Sequence, residues 1–280
     1  MSAPPAAARL ASVANPLAFL ALARRHRHLI LRLAARRIEA QYRGSALGML
    51  WAVLHPLFLL GVYTFAFAFV LGGRWSPDQT GKADFALFVF SGMLLFSVFS
   101  KPFVEAPNLM VANQTYIKQL VFPAEVLSWS SVLVALFDFA VGFAIWAVLF
   151  VCVRGLPPVT WTLLPLIALP AVLLALGASW LLSSLGVFLR DLSQIVSLAA
   201  TALFFLSPIV YPVSRIPAWL IPLYRVNPLV GILDASKGVL FHGTAPHWST
   251  FALLLLGSWV TAWLGHAWFM RTKGGFADVL

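Results

Sequence analysis

RRIEAQYRGSALGMLWAVLHPL, residues 36–57, passes from a strongly basic segment into an apolar one with only Gly44 and Ser45 at the junction. Three arginines, Arg36, Arg37 and Arg43, precede the junction, and Trp51 and Pro56 sit inside the apolar part. Bilayer-spanning helices need about 20 mostly apolar residues, and polybasic flanks next to a span meet the anionic inner leaflet. The stretch therefore reads as a basic surface helix turning at Gly44–Ser45 into a first membrane crossing. Glycine supplies the backbone freedom for that bend.

The composition extends this reading to the whole chain. Over 280 residues, 61% are hydrophobic and 10% charged, with mean hydropathy +0.91; soluble domains carry about 25% charged residues. An all-α integral membrane protein is expected. Net charge is +10, yet eight of the nineteen Lys and Arg fall in the first 43 residues, so the excess marks a cytoplasmic flank and no nucleic-acid partner. Cys152 is the sole cysteine, which excludes an intrachain disulfide, and no His/Cys spacing fits a metal. Leu10–Ala23 is not expected to act as a secretory leader: it contains Pro16, and the main basic cluster follows it.

Six apolar segments are long enough to cross: Ala46–Leu71, Phe85–Val104, Val126–Val153, Leu163–Leu189, Ile195–Val213 and Phe251–Met270. Alternation then assigns thirteen Lys and Arg to the side of the termini and six to the other, which places both termini in the cytoplasm. The expected organisation is a cytoplasmic amino-terminal segment over 1–43, a six-span domain over 44–271 and a tail over 272–280. Lys101, near the end of the second span, is expected to snorkel.

Before the first span, Arg25, Arg32, Arg36 and Arg43 fall on one helical face, with Ala23, Ile30, Leu31, Ala34 and Ile38 toward the other. Glu39 lies within pairing range of Arg36 and Arg43. The segment is an interfacial amphipathic helix with its aliphatic face down, and either anchors the chain or docks a cytoplasmic protein; Leu29 and Leu33, toward the basic side, suit docking. Residues 207–228, SPIVYPVSRIPAWLIPLYRVNP, contain five prolines that forbid one continuous helix, and Leu229–Leu240 is too short to cross. Two short helices, Pro217–Leu223 and Leu229–Leu240, are expected as a re-entrant or interfacial hairpin at about 213–247. It is either an outer gate involving Tyr211, Trp219 and Tyr224 or an interfacial loop with an aromatic belt.

Within the spans, Trp51, His55, Phe58, Phe65 and Phe69 share one side of the first helix, either facing lipid or lining a path. Asp138, near the middle of the third span, is costly there and faces a partner or a wet cavity. Ala175, Ser179 and Ser183 give small-xxx-small spacing suited to close helix packing, and Asp191 is placed to cap the following helix. The nine Asp and Glu are scattered without D-x-D, which disfavours a membrane enzyme using metal-assisted glycosyl or phosphoryl transfer.

YRGSALGMLWAVLHPL, LRDLSQIV (189–196) and LSPIVYPVSRIPAWLIPLYRVNPLVGILDASKGVLF (206–241) occur in an order and spacing that resembles the permease subunits of ATP-binding-cassette exporters of polysaccharides, the group that moves O-antigen, teichoic acid and capsule chains. The resemblance is strongest to the O-antigen and teichoic-acid branch. It implies a transporter subunit, a homodimer with a channel at the dimer interface, and two separate ATPase chains that bind ATP and Mg. The absence of G-x-x-x-x-G-K-[ST] in this chain agrees. It also implies that Leu17–Arg43, with Arg25, Arg32, Arg36 and Arg43, and the loop Asn108–Val121, with Leu109, Tyr116 and Leu120, meet the ATPase. A lipid-linked glycan is then the expected cargo, guided by the Trp51 face and by Phe204 and Phe205 of the fifth span. A small-molecule or lipid permease of the same fold is the alternative.

Overall fold

The computed structural model describes residues 15–66, 81–118, 122–211 and 216–279; Phe69 and Leu120 lie outside them, as do the expected end of the first span and part of the proline-rich segment. Every regular element among the described residues is helical. In chain order they form α1 (Ala18–Arg25), α2 (Arg27–Tyr42), α3 (Trp51–Tyr63), α4 (Lys82–Leu109), α5 (Gln114–Ile117), α6 (Val126–Arg154), α7 (Leu164–Phe188), α8 (Leu192–Phe205), α9 (Ile221–Val226), α10 (Pro228–Lys237), α11 (Trp248–Thr272) and α12 (Phe276–Val279).

Among the described residues, five stretches are long and apolar enough to cross a membrane: Gly48–Ala66, Ala83–Leu109, Val126–Arg154, Val159–Phe188 and Trp248–Gly275. They coincide with the first, second, third, fourth and sixth expected crossings. The fifth differs: α8 has 14 residues, about 21 Å at 1.5 Å per residue, short of a hydrocarbon core of about 30 Å. The first helix begins at Trp51, after a 3-10 turn at Gly48–Leu50. Before it the chain turns at Gly44, whose φ of +86° lies in the region that favours glycine.

The centre is built by α4, α7 and α11. In lipid no hydrophobic force drives helices together, so they associate where small residues let backbones approach. At the α7–α11 crossing, a Cβ on Gly265 would lie 2.2 Å from the Gly177 carbonyl oxygen, and one on Gly177 would lie 2.5 Å from that of Thr261. Ala175, Ser179 and Ser183, on the side of α7 away from Gly177, are fully buried as well, as their spacing predicts. Trp180 is enclosed with them, its indole N–H donating to the Glu125 carbonyl (3.0 Å). Phe19 of α1 reaches the same place, with ring centroids 5.9 Å from Trp180 and 6.4 Å from His266. Lys273, just beyond α11, pairs with the buried Glu125 at the head of α6 (3.3 Å). Both ends of the described chain therefore sit on one face.

On the opposite face, α9 and α10 form the expected pair of short helices. Asn227 caps α10 by accepting from the Leu229 amide (3.0 Å), and Pro228 occupies the first turn, where a missing amide costs nothing. The hairpin's return is tied down by Trp161 and Thr160, which donate to the carbonyls of Leu240 (3.1 Å) and Val239 (2.6 Å). Arg154 at the end of α6 pairs with the buried Asp84 (2.7 Å) and lies over the Phe241 ring.

The amino-terminal helix departs from expectation in two ways. It breaks at His26, so Arg25 belongs to a separate helix and not to the arc of Arg32, Arg36 and Arg43. Its inward face also packs on protein: Ile30 and Ala34 are buried against α6, and Leu33 joins the central core. Where it is described, the loop after α4 divides among three elements: α4 runs on to Leu109, a 3-10 turn follows at Val111–Asn113, and α5 comes next. Asp191 occupies the N-cap of α8 without a side-chain capping bond.

Candidate functional site

Phe58, 72% exposed, and Phe65, just past the end of α3, point outward, while Trp51, 47% exposed, and His55 stand at the edge of that face, beside α4 and α6. No residue of α3 is buried. The helix leans on α4 and α6, and the remaining face carries the aromatic rings interspersed with Leu57, Gly61 and Val62. Next to it, α8 also rests on α4 and exposes Ile195, Leu198 and Phe205. Phe204, expected on the same path, turns inward instead, with ring centroids 5.6 Å from Phe96 and 6.4 Å from Tyr63. Together α3, α4 and α8 form one flank whose outer side is apolar and aromatic.

At the terminus-bearing end of this flank, the strip runs into a polar cluster. Asp138 of α6 pairs with Lys101 of α4 (2.7 Å) and accepts from the Tyr42 hydroxyl (3.5 Å). Lys101 thus pairs with the carboxylate that spacing alone left without a partner. One helical turn further along α4, Glu105 pairs with Arg37 and accepts from the Ser131 hydroxyl, while Arg37 also reaches Ser130 (3.4 Å). Burial lowers the Arg37 pKa, and burial with the nearby Asp138 carboxylate raises that of Tyr42. The interface helix is thus bound by charge to α4 and α6. Trp51, His55, Lys101 and Asp138 all border a cavity of about 490 Å³ between α3 and the α4–α6 pair.

Arg37, Tyr42 and Glu105 escaped the sequence reading. A signal existed: Ile30, Ala34, Arg37 and Gln41 follow one helical stripe, so Arg37 shares the buried side and needs a counter-ion.

The residues expected to meet a cytoplasmic partner separate into two groups. Arg25, Arg32, Arg36 and Arg43 are exposed, with Arg43 3.8 Å from Glu39 as the spacing predicts. Leu109, by contrast, is 2% exposed in the core and has no surface to offer, because α4 extends through it. Tyr116 is half-buried, accepts a hydrogen bond from Arg36 and stacks on Phe122 at 5.3 Å. The interface helix and the loop after α4 therefore form one continuous surface.

On the opposite face, the hydroxyls of Tyr211 and Tyr224 lie within hydrogen-bond reach of each other and of the Phe205 carbonyl; with one proton each, one hydroxyl donates to the carbonyl and the other donates to its neighbour. This pair ties the start of the proline-rich segment and α9 to the end of α8. Tyr224 is buried there. Trp219 is 77% exposed and apart from them. Asn227 adds a bond to the Leu206 carbonyl (3.2 Å). The expected gate residues thus form one latch plus a separate surface indole.

Comparison with known proteins agrees with this architecture. The O-antigen export system permease protein RfbA of Klebsiella pneumoniae is 29% identical over 248 residues, covering 87% of this chain and 91% of its own. The protein of the same description from Myxococcus xanthus is 28% identical over 257 residues, covering 90% and 95%. The polysialic acid transport protein KpsM of Escherichia coli is 23% identical over 250 residues, covering 85% and 90%. The profile of the family described as ABC-2 type transporter matches residues 28–241, from the interface helix through the outer hairpin. The chain therefore belongs to the ABC-2 type transporter family, as a multi-pass membrane permease that is not itself catalytic and whose family implies an ATP-binding-cassette ATPase as its partner.

Proposed function

We propose that this chain is the transmembrane subunit of an exporter that moves a lipid-linked polysaccharide, O-antigen first, from the cytoplasmic side of the inner membrane outward. Two copies associate through the α3–α8 flank and enclose the path between them, and two ATPase chains drive the movement from below. The carrying observation is the aromatic strip Trp51, Phe58 and Phe65 on a span with none of its residues buried. Aromatic rings pack on the C–H faces of sugars without a fixed hydrogen-bond register, so a polymer slides along them.

Six crossings are part of this reading, the fifth made by α8 together with the proline-rich segment that follows. Both termini lie in the cytoplasm, which the thirteen-to-six distribution of basic residues supports. Arg32, Arg36, Arg43 and Tyr116 then face the ATPase, and the Tyr211–Tyr224 latch with Trp219 belongs to the outer gate. The similarity to the polysialic acid transport protein supports a capsule polysaccharide as the second cargo.

The test is reconstitution of the permease with its ATPase in proteoliposomes carrying labelled lipid-linked glycan. ATP should move the glycan to the far side, and single cysteines at Phe65 or Leu198, in a Cys152→Ser background, should yield disulfide-linked dimers. Glycan that stays put in an assembled, ATP-hydrolysing complex would sink the reading.

A further inference from the structure

The cavity beside the first span is chemically unlike the rest of the flank. Its volume of about 490 Å³ lies within the roughly 300–1,000 Å³ typical of small-ligand sites. Trp51, Leu59 and Met93 give it apolar walls, and Tyr42, Lys101 and Asp138 converge at its polar base. A second cavity of about 680 Å³ shares Gln41, Lys101 and Asp138 with it and continues to Arg37 and Glu105. The charges of the joined base balance, Arg37 and Lys101 against Glu105 and Asp138. An anion would meet two carboxylates there, and a metal cation two basic groups, so neither is favoured.

Hydrogen-bonding capacity remains at this base. Asp138 Oδ2 receives Lys101 at 2.7 Å, while Oδ1 is 3.5 Å from the Tyr42 hydroxyl, the outer limit of a hydrogen bond. Each carboxylate oxygen accepts about two bonds and an ammonium donates three. A balanced pair with spare donors and acceptors, beside a half-exposed indole, is complementary to a pyranose. Such a ring has an apolar C–H face and a rim of hydroxyls that both donate and accept.

We propose that this cavity is a glycan subsite within a single chain, where Trp51 stacks on one sugar ring and Asp138 and Lys101 bond its hydroxyls. It rests on the exporter reading and adds to it. The sugar is held behind the first span, against α2, α4 and α6, as well as passing along the outer strip. Because Tyr42 belongs to the interface helix, an occupied subsite touches the element nearest the ATPase.

The experiment places a photoreactive benzophenone amino acid at Gln41 or Ala52 in the cavity, at Phe58 on the strip and at Leu253, exposed on α11, as background. The full complex is irradiated in membranes that synthesise radiolabelled lipid-linked glycan. Adducts are expected at Gln41, Ala52 and Phe58 well above Leu253. W51A should lower the Gln41 adduct roughly tenfold, the worth of about 1.4 kcal/mol of contact, and W51F should restore most of it. D138N, in complexes that assemble normally, should do the same as W51A. Adducts at Phe58 but not at Gln41 or Ala52 would overturn the subsite and leave the exporter intact. Equal labelling at Leu253, or no response to W51A, would also overturn it. No glycan adduct at any position in an assembled complex would overturn the exporter reading itself.

Discussion

At the α7–α11 crossing, Gly177 and Gly265 bring two backbones so close that a single added carbon has nowhere to go; at Gly61 on α3, the same carbon would meet nothing within 4 Å. All three glycines sit in long apolar helices of one chain, yet two form a structural joint and the third stands at an open edge. The difference follows from the solvent. Lipid tails are as apolar as leucine, so a helix is held only where shape and hydrogen bonding exceed what lipid offers. The central helices have that complementarity, while α3 presents bulky aromatic side chains outward. A loosely held helix is free to meet a second copy or a sliding polymer, and a tightly held centre gives it something to move against.

The largest expected effect tests the joint. Gly265→Leu should remove the folded protein from membranes, since overpacking costs about 1–3 kcal/mol even where side chains yield and here the obstacle is backbone. Gly61→Leu should leave yield and detergent melting temperature unchanged; a matching loss at both sites would erase the distinction between joint and edge. Next comes function without fold. The triple variant W51A/F58A/F65A should cut glycan export by roughly tenfold or more, about 1.4 kcal/mol, with melting temperature and ATPase association retained; unchanged export would return the strip to lipid contact. Smaller still, Asn227→Ala removes the cap of α10 and should cost about 1 kcal/mol, read as faster amide exchange confined to the outer hairpin. The smallest is Asp191→Ala, expected within about 0.5 kcal/mol in thermal unfolding, because that carboxylate makes no capping bond. A larger loss would show that it acts elsewhere.

Much of the fold was legible from residues alone. Long apolar runs marked five helices long enough to cross, their described ends within about five residues of those expected, and the prolines marked the break before α10. The hairpin was legible because proline's missing amide and fixed ring act locally. The shortness of α8 was not, since the apolar pattern continues past the point where the helix ends. Site residues divide the same way. The Trp51 strip follows from spacing, and the structure leaves Trp51, His55, Phe58 and Phe65 exposed; Phe69 lies outside the described residues. Phe204, adjacent to Phe205, was misjudged because two neighbouring rings on a helix point about 100° apart; only the position of Phe96 decides which turns in.

By itself the sequence determined that this chain is helical, membrane-embedded and basic at its amino-terminal end, because hydropathy, charge and proline act on the segment that carries them. Tertiary structure decided the pairings: Asp138 with Lys101, Arg37 with Glu105, Gly265 against Gly177, and Leu109 drawn inside. Helical periodicity fixes the direction in which a side chain leaves its helix, but not which neighbour waits there. In a bilayer, where apolar faces gain little by choosing one another, that choice rests on steric fit and on the few charges that must find a counter-ion.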